Sequence, residues 1–145
     1  MKTNFTIGTL QQIDEIAYLE QQCFHKEAWN ISQIENTIQS KFQKVLLLKS
    51  ENLTIGYCII QLIDGEAELE RIGILPIYQK HGYAKWLLNQ SLKYYQIERC
   101  FLEVKDSNSS AISLYQKCGF KMIAKRLNYY SDGSDALIME WKMII

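Results

Sequence analysis

The sequence predicts one α/β domain over residues 1–145, in which a mixed sheet carries helices on both faces. A length of 145 residues suits a single domain of ordinary size. One proline and the lack of a Gly- or Ser-rich run leave no candidate linker. Hydrophobic patterns follow one another in the order strand, two helices, three strands, helix, strand, helix, two strands, which is typical of this class.

The first half of the chain is predicted to form a strand, two helices and three strands. Residues 5–8 favour a strand, and Thr9 can cap a helix whose apolar positions follow a 3.6-residue period as far as Cys23. A second helix is expected from about residue 31 to residue 40. Runs rich in Leu, Ile, Val and Tyr then predict strands over residues 44–49, 54–63 and 66–75.

The second half is predicted to form two helices and three strands. Residues 82–96 have the apolar period of a helix, and residues 100–104 are a short apolar run of the kind expected for a strand buried on both faces. Asn108 can cap a helix that runs to Cys118, with Gly119 at its end. A terminal strand pair is expected over residues 120–130 and 136–143.

Charge and composition exclude several classes of function. Lys plus Arg equals Asp plus Glu at 16 each, so a nucleic-acid binder held by bulk charge is not expected. The N-terminus lacks the apolar core of a signal peptide, and no apolar run is long enough to span a bilayer, so we expect a cytoplasmic protein without membrane contact. Four scattered cysteines should be reduced and buried, and with only two histidines no metal site is expected.

The turn before the third helix carries the strongest functional signal. An apolar strand runs into Pro76, a polar loop and then Gly82, which opens the helix. The first turn of a helix presents backbone amides and partial positive charge, and a glycine lets a ligand come close to the backbone. Lys80 and Lys85 add charge of the same sign. The turn is therefore expected to hold a pyrophosphate, which indicates a nucleotide-like cofactor.

Two motifs make the chain resemble the GNAT acetyltransferases. The family turn Q/R-x-x-G-x-G/A is matched from Gln79 to Ala84. The family pattern N-x-x-A-x-x-L-Y-x-x-x-G-F is matched at six positions, namely Asn108, Ala111, Leu114, Tyr115, Gly119 and Phe120. A short glycine turn alone is weak evidence, but both motifs occur in the family's order and spacing.

The resemblance implies a fold and a cosubstrate. The expected fold is a mostly antiparallel sheet of about seven strands with four helices, in which the fourth and fifth strands splay apart around acetyl-CoA. Backbone groups of Ile72, Gly73 and Ile74 would pair with the pantetheine arm, and Asn108 would contact the cofactor from the opposite strand. Gly73 stands where the family usually has Ala. The pyrophosphate would be held by the turn residues Lys80, His81, Gly82, Tyr83, Ala84 and Lys85.

Further residues resemble one branch of the family. Tyr129 and Tyr130, followed by a D-A-x-x-M run from Asp135, look like the N-terminal (α-amine) acetyltransferases. His25 and Trp29, together with Glu103, look most like the bacterial ribosomal-protein alanine acetyltransferases. The resemblance implies a protein N-terminus as acceptor, namely the N-terminal alanine of protein eighteen of the small ribosomal subunit. Tyr129 and Tyr130 would line the peptide entrance.

The chemistry requires a base and a group beside the leaving sulfur. An α-amino group has a pKa of about 8 against about 10.4 for lysine, so a single carboxylate suffices as base at neutral pH. Glu103, on an apolar strand, ranks first for this role; Glu70 ranks second, and Glu68 on the same strand is also open. Glu70 could instead contact a basic peptide. Tyr115 is expected to donate a hydrogen bond or a proton to the departing sulfur.

Other functions stay open at this point. The chain could acetylate another peptide, a lysine or a small amine, or it could bind acetyl-CoA without catalysis. An intact Glu103 and Tyr115 disfavour the non-catalytic alternative. The sequence does not define an oligomeric state.

Overall fold

The computed structural model describes residues 2–144 and confirms the predicted fold class. Seven strands form one sheet in the order β1-β2-β3-β4-β5-β7-β6, in which only β4 and β5 are parallel. The strands are β1 (Thr3–Ile7), β2 (Gln43–Ser50), β3 (Leu53–Ile63), β4 (Glu66–Ile74), β5 (Arg99–Lys105), β6 (Lys121–Arg126) and β7 (Ala136–Lys142). The helices are α1 (Ile13–Phe24), α2 (Ile31–Gln39), α3 (Tyr83–Tyr94) and α4 (Ser109–Lys117).

The sheet separates two apolar cores. On one side, which we call the α1 face, Ile16 and Leu19 of α1 and Ile34 of α2 pack on Tyr57 and Ile59 of β3. On the other, the α3 face, α3 and α4 cover the larger core, whose members come from β2, β3, β4, β5 and both helices. This alternation of neighbouring residues between faces is what a strand buried on both sides requires.

The parallel strands β4 and β5 separate after three residue pairs. Glu66, Ala67 and Glu68 pair with Arg99, Cys100 and Phe101, and no further pairs join the two strands. Residues 69–74 and 102–105 therefore face each other across a gap, which we call the wedge. The splay predicted from the family resemblance is confirmed in this geometry.

A bulge interrupts β4 at the point where the wedge opens. Ile59 of β3 pairs with Arg71, whereas the next residue, Ile60, pairs with Leu69, so Glu70 is the extra residue. A bulge bends its strand and increases the local twist. The bend lies where β4 leaves β5, and β4 remains paired with β3 on its other edge as far as Ile74.

Two strand predictions need correction. Residues 120–130 were expected to be one strand, but β6 ends at Arg126 and the chain continues as a loop to residue 135. Asp135 holds this loop, because its Oδ1 accepts a 2.9 Å hydrogen bond from the backbone N–H of Asn128, whose φ is +52°. Strand β5 is not buried on both faces, since Phe101 and Glu103 are only half-buried on the α1 face.

The expectation for the cysteines is met in part. All four are free thiols, and Cys58, Cys100 and Cys118 are buried, but Cys23 is only half-buried at the end of α1. No helix within residues 2–144 has the length and apolar character needed to cross a membrane. The cytoplasmic location stays a prediction.

Candidate active site

The turn before α3 has the geometry expected of an anion-binding helix start. Gly82 is the N-cap residue with φ +84°, and Lys80 also has a positive φ of +66°. The Gln79 side chain fixes the turn to the end of β4, because its Nε2 donates a 2.9 Å hydrogen bond to the Ile74 carbonyl. A Cβ built on Gly82 would have no heavy atom within 4 Å, so the backbone here is open to a ligand.

The side chains of this turn lie mostly outside the core. Lys80, His81 and Lys85 are exposed, while Tyr83 and Ala84 are half-buried. Ala84 packs against the core of the α3 face, and the ring centroids of His81 and Tyr83 are 6.4 Å apart. Two lysines on a helix N-terminus concentrate positive potential at one point of the surface.

Helix α4 brings Tyr115 to the α3 face. Its ring packs against Phe120 at a centroid distance of 5.9 Å, and its side chain is buried. Burial, with a smaller contribution from Cys118, raises the pKa of the Tyr115 phenol to about 12. The Tyr115 hydroxyl therefore stays protonated at neutral pH and can donate a hydrogen bond.

Asn108 caps the same helix, since its Oδ1 accepts a 3.2 Å hydrogen bond from the Ala111 amide.

The three residues of β4 expected beside the cofactor lie along the wedge. Ile72 and Ile74 direct their side chains into the core of the α3 face, and Gly73 lies between them. A Cβ on Gly73 would lie 3.0 Å from the Cys23 Sγ and 3.2 Å from the Tyr57 ring. Cys23 and Tyr57 therefore fill the space that an alanine methyl group would need.

Three carboxylates gather on the α1 face where the wedge opens. Glu103 of β5 lies 3.4 Å from the Arg126 guanidinium, and the Glu70 Oε1 accepts a 2.7 Å hydrogen bond from the Gln43 side chain. Burial raises the pKa of Glu68, and the charges of Glu70 and Glu103 raise it further, while Arg126 opposes them. The sequence predicted the individual residues but not their shared cluster or the arginine within it.

The loop between β6 and β7 borders the same cluster. Its two tyrosines meet edge to face, with the ring centroids of Tyr129 and Tyr130 5.1 Å apart. Burial raises the pKa of Tyr130, and the nearby charge of Glu103 adds to the shift. Lys105 of β5 ties the loop down through a 2.9 Å ion pair with Asp132, whose pKa is lowered by its hydrogen bonds with Ser134 and Lys105. Both tyrosines therefore lie in a loop at the mouth of the wedge.

The sequence did not reveal a buried ion pair that lies beside the opening of the wedge. Glu20 of α1 is fully buried, and both of its carboxylate oxygens accept hydrogen bonds from Arg71 of β4, at 2.8 and 3.0 Å. A signal was present, because Glu20 follows Ile16 by four residues and so occupies an inward position of an amphipathic helix. A charged residue at such a position needs a partner.

Comparisons with known proteins agree with this geometry. The model of the Acetyltransferase (GNAT) family matches residues 11–120. A Haemophilus influenzae protein named [ribosomal protein bS18]-alanine N-acetyltransferase is 36% identical over 115 residues, which are 77% of this chain and 77% of that protein.

Solved structures share the fold. The crystal structure of the ribosomal-protein-S18-alanine N-acetyltransferase from Escherichia coli has a TM-score of 0.89 at 26% identity and covers 99% of this chain and 96% of its own. A PaiA N-acetyltransferase from Thermoplasma acidophilum, in complex with coenzyme A, has a TM-score of 0.76 at 23% identity and covers 99% of this chain and 100% of its own.

A parallel strand pair that splays apart beside the start of α3 is the fold of an acyltransferase family. Because the family model matches residues 11–120, which are most of this chain, the chain belongs to the GNAT acetyltransferase family. It is an acetyl-CoA-dependent N-acetyltransferase, as the resemblance of its two motifs predicted.

Proposed function

We propose that this protein transfers the acetyl group of acetyl-CoA to the N-terminal α-amine of a protein, and that its acceptor is the N-terminal alanine of ribosomal protein bS18. The observation that carries the proposal is the wedge, because it opens toward the α3 helix start along one side and toward a carboxylate cluster on the α1 face. A thioester laid in this gap would have its acyl group within reach of an amine from that face.

The cosubstrate would be held mainly by backbone. The β4 edge at Ile72, Gly73 and Ile74 has no strand partner on the β5 side, so its backbone groups are available to the amides of the pantetheine arm. The turn over residues 80–85 would receive the pyrophosphate, since the backbone at Gly82 is open and the two lysines supply positive charge. Asn108, although it caps α4, keeps its amide N–H groups for a contact from the opposite side.

Glu103 is proposed as the base that takes the proton from the α-ammonium group, directly or through water. It lies on the unpaired part of β5, half-buried on the α1 face. An α-amine needs little help near neutral pH, because its pKa of about 8 is only about one unit above the medium. The neutral nitrogen then attacks the thioester carbonyl, and the C–N bond forms as the C–S bond breaks. The nitrogen loses its second proton to water as the amide forms, and CoA leaves as a thiolate that is protonated by solvent. Glu68 and Glu70 are the neighbouring carboxylates that could take the proton instead.

Tyr115 is proposed to stabilise the departing thiolate. A phenol with a pKa near 12 is a weaker acid than a thiol, whose pKa is about 8.5, so complete proton transfer to sulfur is unfavourable. A hydrogen bond from the hydroxyl to the sulfur stabilises the negative charge as it develops, without that cost. Tyr115 therefore acts as a donor to the leaving group.

The acceptor assignment is supported by the relatives and by the borders of the wedge. Two of the relatives described above, from Haemophilus influenzae and Escherichia coli, are named for the acetylation of ribosomal protein S18 alanine. Tyr129 and Tyr130 are proposed to contact the first residues of the acceptor from the loop between β6 and β7. Glu70, exposed on the α1 face, would face basic side chains of the incoming chain.

Acetyl transfer to a set of peptides tests the proposal. The purified protein is incubated with radiolabelled acetyl-CoA and peptides that begin with Ala, Ser or Met, a peptide with a blocked N-terminus and an internal lysine, and a small polyamine. The peptide that begins with Ala carries the N-terminal sequence of bS18, and we expect it to have the highest kcat/KM. Transfer confined to the lysine or the polyamine would contradict α-amine specificity, and CoA binding without any transfer would indicate a non-catalytic module.

A further inference from the structure

We propose that Arg71 is a positioning residue for the acceptor, because it holds residues 24–29 in place over the α1 face of the wedge. This inference rests on the proposed function, since it concerns how the same site receives its acceptor amine. Arg71 follows the bulged Glu70 directly, where β4 is still paired with β3 but no longer with β5. Its side chain turns toward α1 rather than toward the cofactor side.

The anchor of this arrangement is a buried ion pair. The Nε and Nη2 atoms of Arg71 donate to the two carboxylate oxygens of Glu20, and the side chains are 15% and 1% exposed respectively. The same Glu20 Oε1 accepts a 2.7 Å hydrogen bond from the backbone N–H of Trp29. A single carboxylate thus joins β4 to the segment over residues 24–29.

Arg71 makes three further contacts with that segment. Its guanidinium carbon lies 3.8 Å from the ring centroid of Phe24 and 4.8 Å from that of Trp29. Its Nη2 also donates a 2.8 Å hydrogen bond to the Glu27 carbonyl. An arginine plane over aromatic rings uses stacking and hydrogen bonding together, which a lysine cannot reproduce.

The segment needs such restraint. His25 has φ +52°, a conformation that costs a non-glycine residue free energy. Residues 25–27 form only one turn of 3-10 helix, and none of them is buried. The ends of the segment are also held by the Glu20–Trp29 hydrogen bond and by the packing of Phe24 and Trp29 on the core of the α1 face, so Arg71 is the restraint that acts on the turn between them through the Glu27 carbonyl.

The segment lies over the β4 side of the wedge, because Phe24 and Trp29 contact Arg71, and the preceding Cys23 lies against Gly73. The pKa of Lys105 on β5 is raised chiefly by its hydrogen bond with Asp132, and Glu27 adds to the shift. The charge of Glu27 thus acts on Lys105, which also holds the loop over residues 127–135. Residues 24–29 are held by Arg71 and the loop by Lys105, so Arg71 determines one of the two borders of the acceptor entrance.

The position of Arg71 predicts a selective effect on kinetics. The proposed cofactor contacts are the α3 helix start and the backbone edge of β4 over residues 72–74. The Arg71 side chain instead contacts α1 and residues 24–29, all on the α1 face. Loosening residues 24–29 should raise the KM for the acceptor and leave the affinity for CoA unchanged. A purely structural role would alter both, because the whole domain would be affected.

The test uses steady-state kinetics, CoA binding and hydrogen exchange on the wild type and two variants. In Arg71→Met we expect the KM for the bS18 N-terminal peptide to rise about tenfold, with the CoA Kd within twofold of the wild type. Arg71→Lys keeps a charge beside Glu20 but loses the ring stacking and the paired guanidinium hydrogen bonds, so we expect the acceptor KM to rise about threefold. Hydrogen exchange over residues 24–29 should accelerate in the same order.

Arg99→Met is the matched control. Arg99 also donates to a carboxylate, that of Glu140, and lies 4.7 Å from the Phe101 ring centroid, but it stands at the opposite end of β5 from the wedge opening. We expect its acceptor KM to stay within twofold of the wild type. An equal rise of KM in Arg99→Met, or a matching loss of CoA affinity in the Arg71 variants, would overturn the proposal.

The remaining outcomes are also decisive. Should Arg71→Met fail to fold because Glu20 is left unpaired, Arg71→Lys carries the test. Unchanged acceptor KM and unchanged exchange over residues 24–29 in that variant would overturn the inference. A wild type that acetylates no α-amine would remove the proposed function itself, and that result is recognised before any variant is made.

Discussion

The two faces of the wedge are built in different ways. On the α3 face, the elements proposed to hold acetyl-CoA are a backbone edge, a glycine turn and one buried tyrosine, set on an apolar core. On the α1 face, the elements proposed to receive the acceptor are charged and aromatic side chains, brought together from α1, β4, β5 and two loops. The first face can serve any acceptor, because nothing in it depends on the amine. Specificity for the acceptor must therefore reside in the second.

The largest effect should come from the α1 face, at the proposed base. Glu103→Gln should lower kcat/KM about 100-fold at neutral pH, because the amine then loses its proton acceptor. The loss should shrink as the pH rises through the amine pKa, since free amine then accumulates without help. A pH–rate profile with peptide substrate measures both effects.

Glu66→Gln provides the control for this variant, since Glu66 is on β4 in the paired part of the strand and is exposed. It should behave as the wild type. An unchanged rate in Glu103→Gln would transfer the role to Glu68 or Glu70, and the corresponding Gln variants would then identify which carboxylate accepts the proton.

Tyr115→Phe should lower kcat about tenfold or more, because the thiolate would lose a hydrogen bond as its charge develops. The CoA Kd should change little, since the phenol is proposed to act on the leaving group rather than in ground-state binding. Isothermal titration with CoA and single-turnover kinetics separate the two quantities. A rate equal to that of the wild type would leave Tyr115 as a packing residue beside Phe120.

Alanine substitutions at two exposed glycines test the proposed pyrophosphate site beside α3. Gly82 and Gly133 have nearly equal φ values of +84° and +85°, and a Cβ on either would meet no atom within 4 Å. Alanine at either position should cost roughly 1–2 kcal/mol of unfolding free energy from backbone strain alone. Only Gly82→Ala should also raise the CoA Kd, by about tenfold, because only that backbone is proposed to approach the pyrophosphate. Equal Kd values for the two variants would argue against the proposed pyrophosphate site.

The smallest effect concerns the boundary between the faces. Gly73→Ala would place a methyl group 3.0 Å from the Cys23 Sγ, so we expect a loss of about 1–2 kcal/mol in urea unfolding. Removing the sulfur in Gly73→Ala/Cys23→Ala should recover part of this loss relative to Cys23→Ala alone. Strict additivity of the two substitutions would show that Cys23 does not restrict this position.

The same contrast explains what the sequence could predict. The cofactor side follows from local spacing, since the turn from Gln79 to Ala84 and the Asn108 helix each lie within one short segment. The family model and the solved structures confirm the fold that these motifs implied. The residue roles proposed for them stay predictions, although the structure brings each named residue to the wedge or its borders.

The acceptor side depends on contacts between distant segments, which single-sequence patterns do not encode. Glu20 and Arg71 are 51 positions apart, and Arg126 meets Glu103 only because β6 and β5 both flank β7. The early end of β6 was missed for a related reason. Its termination depends on the side chain of Asp135 reaching back to the Asn128 amide, which no alternation of apolar residues reveals.

The extra residue in β4 has a consequence for how this strand tolerates change in length. Before it, Ala67 and Leu69 point into the larger core; after it, Ile72 and Ile74 do, so the inward positions change from odd to even numbers. Deleting Glu70 would make Leu69 and Arg71 consecutive, so regular alternation would keep Arg71 on the α1 face and Ile72 and Ile74 in the core. What the deletion removes is the bend where β4 leaves β5. A deletion scan along β4 should therefore find residue 70 to be the position where loss costs the core least, with its main effect on the width of the wedge and so on CoA affinity.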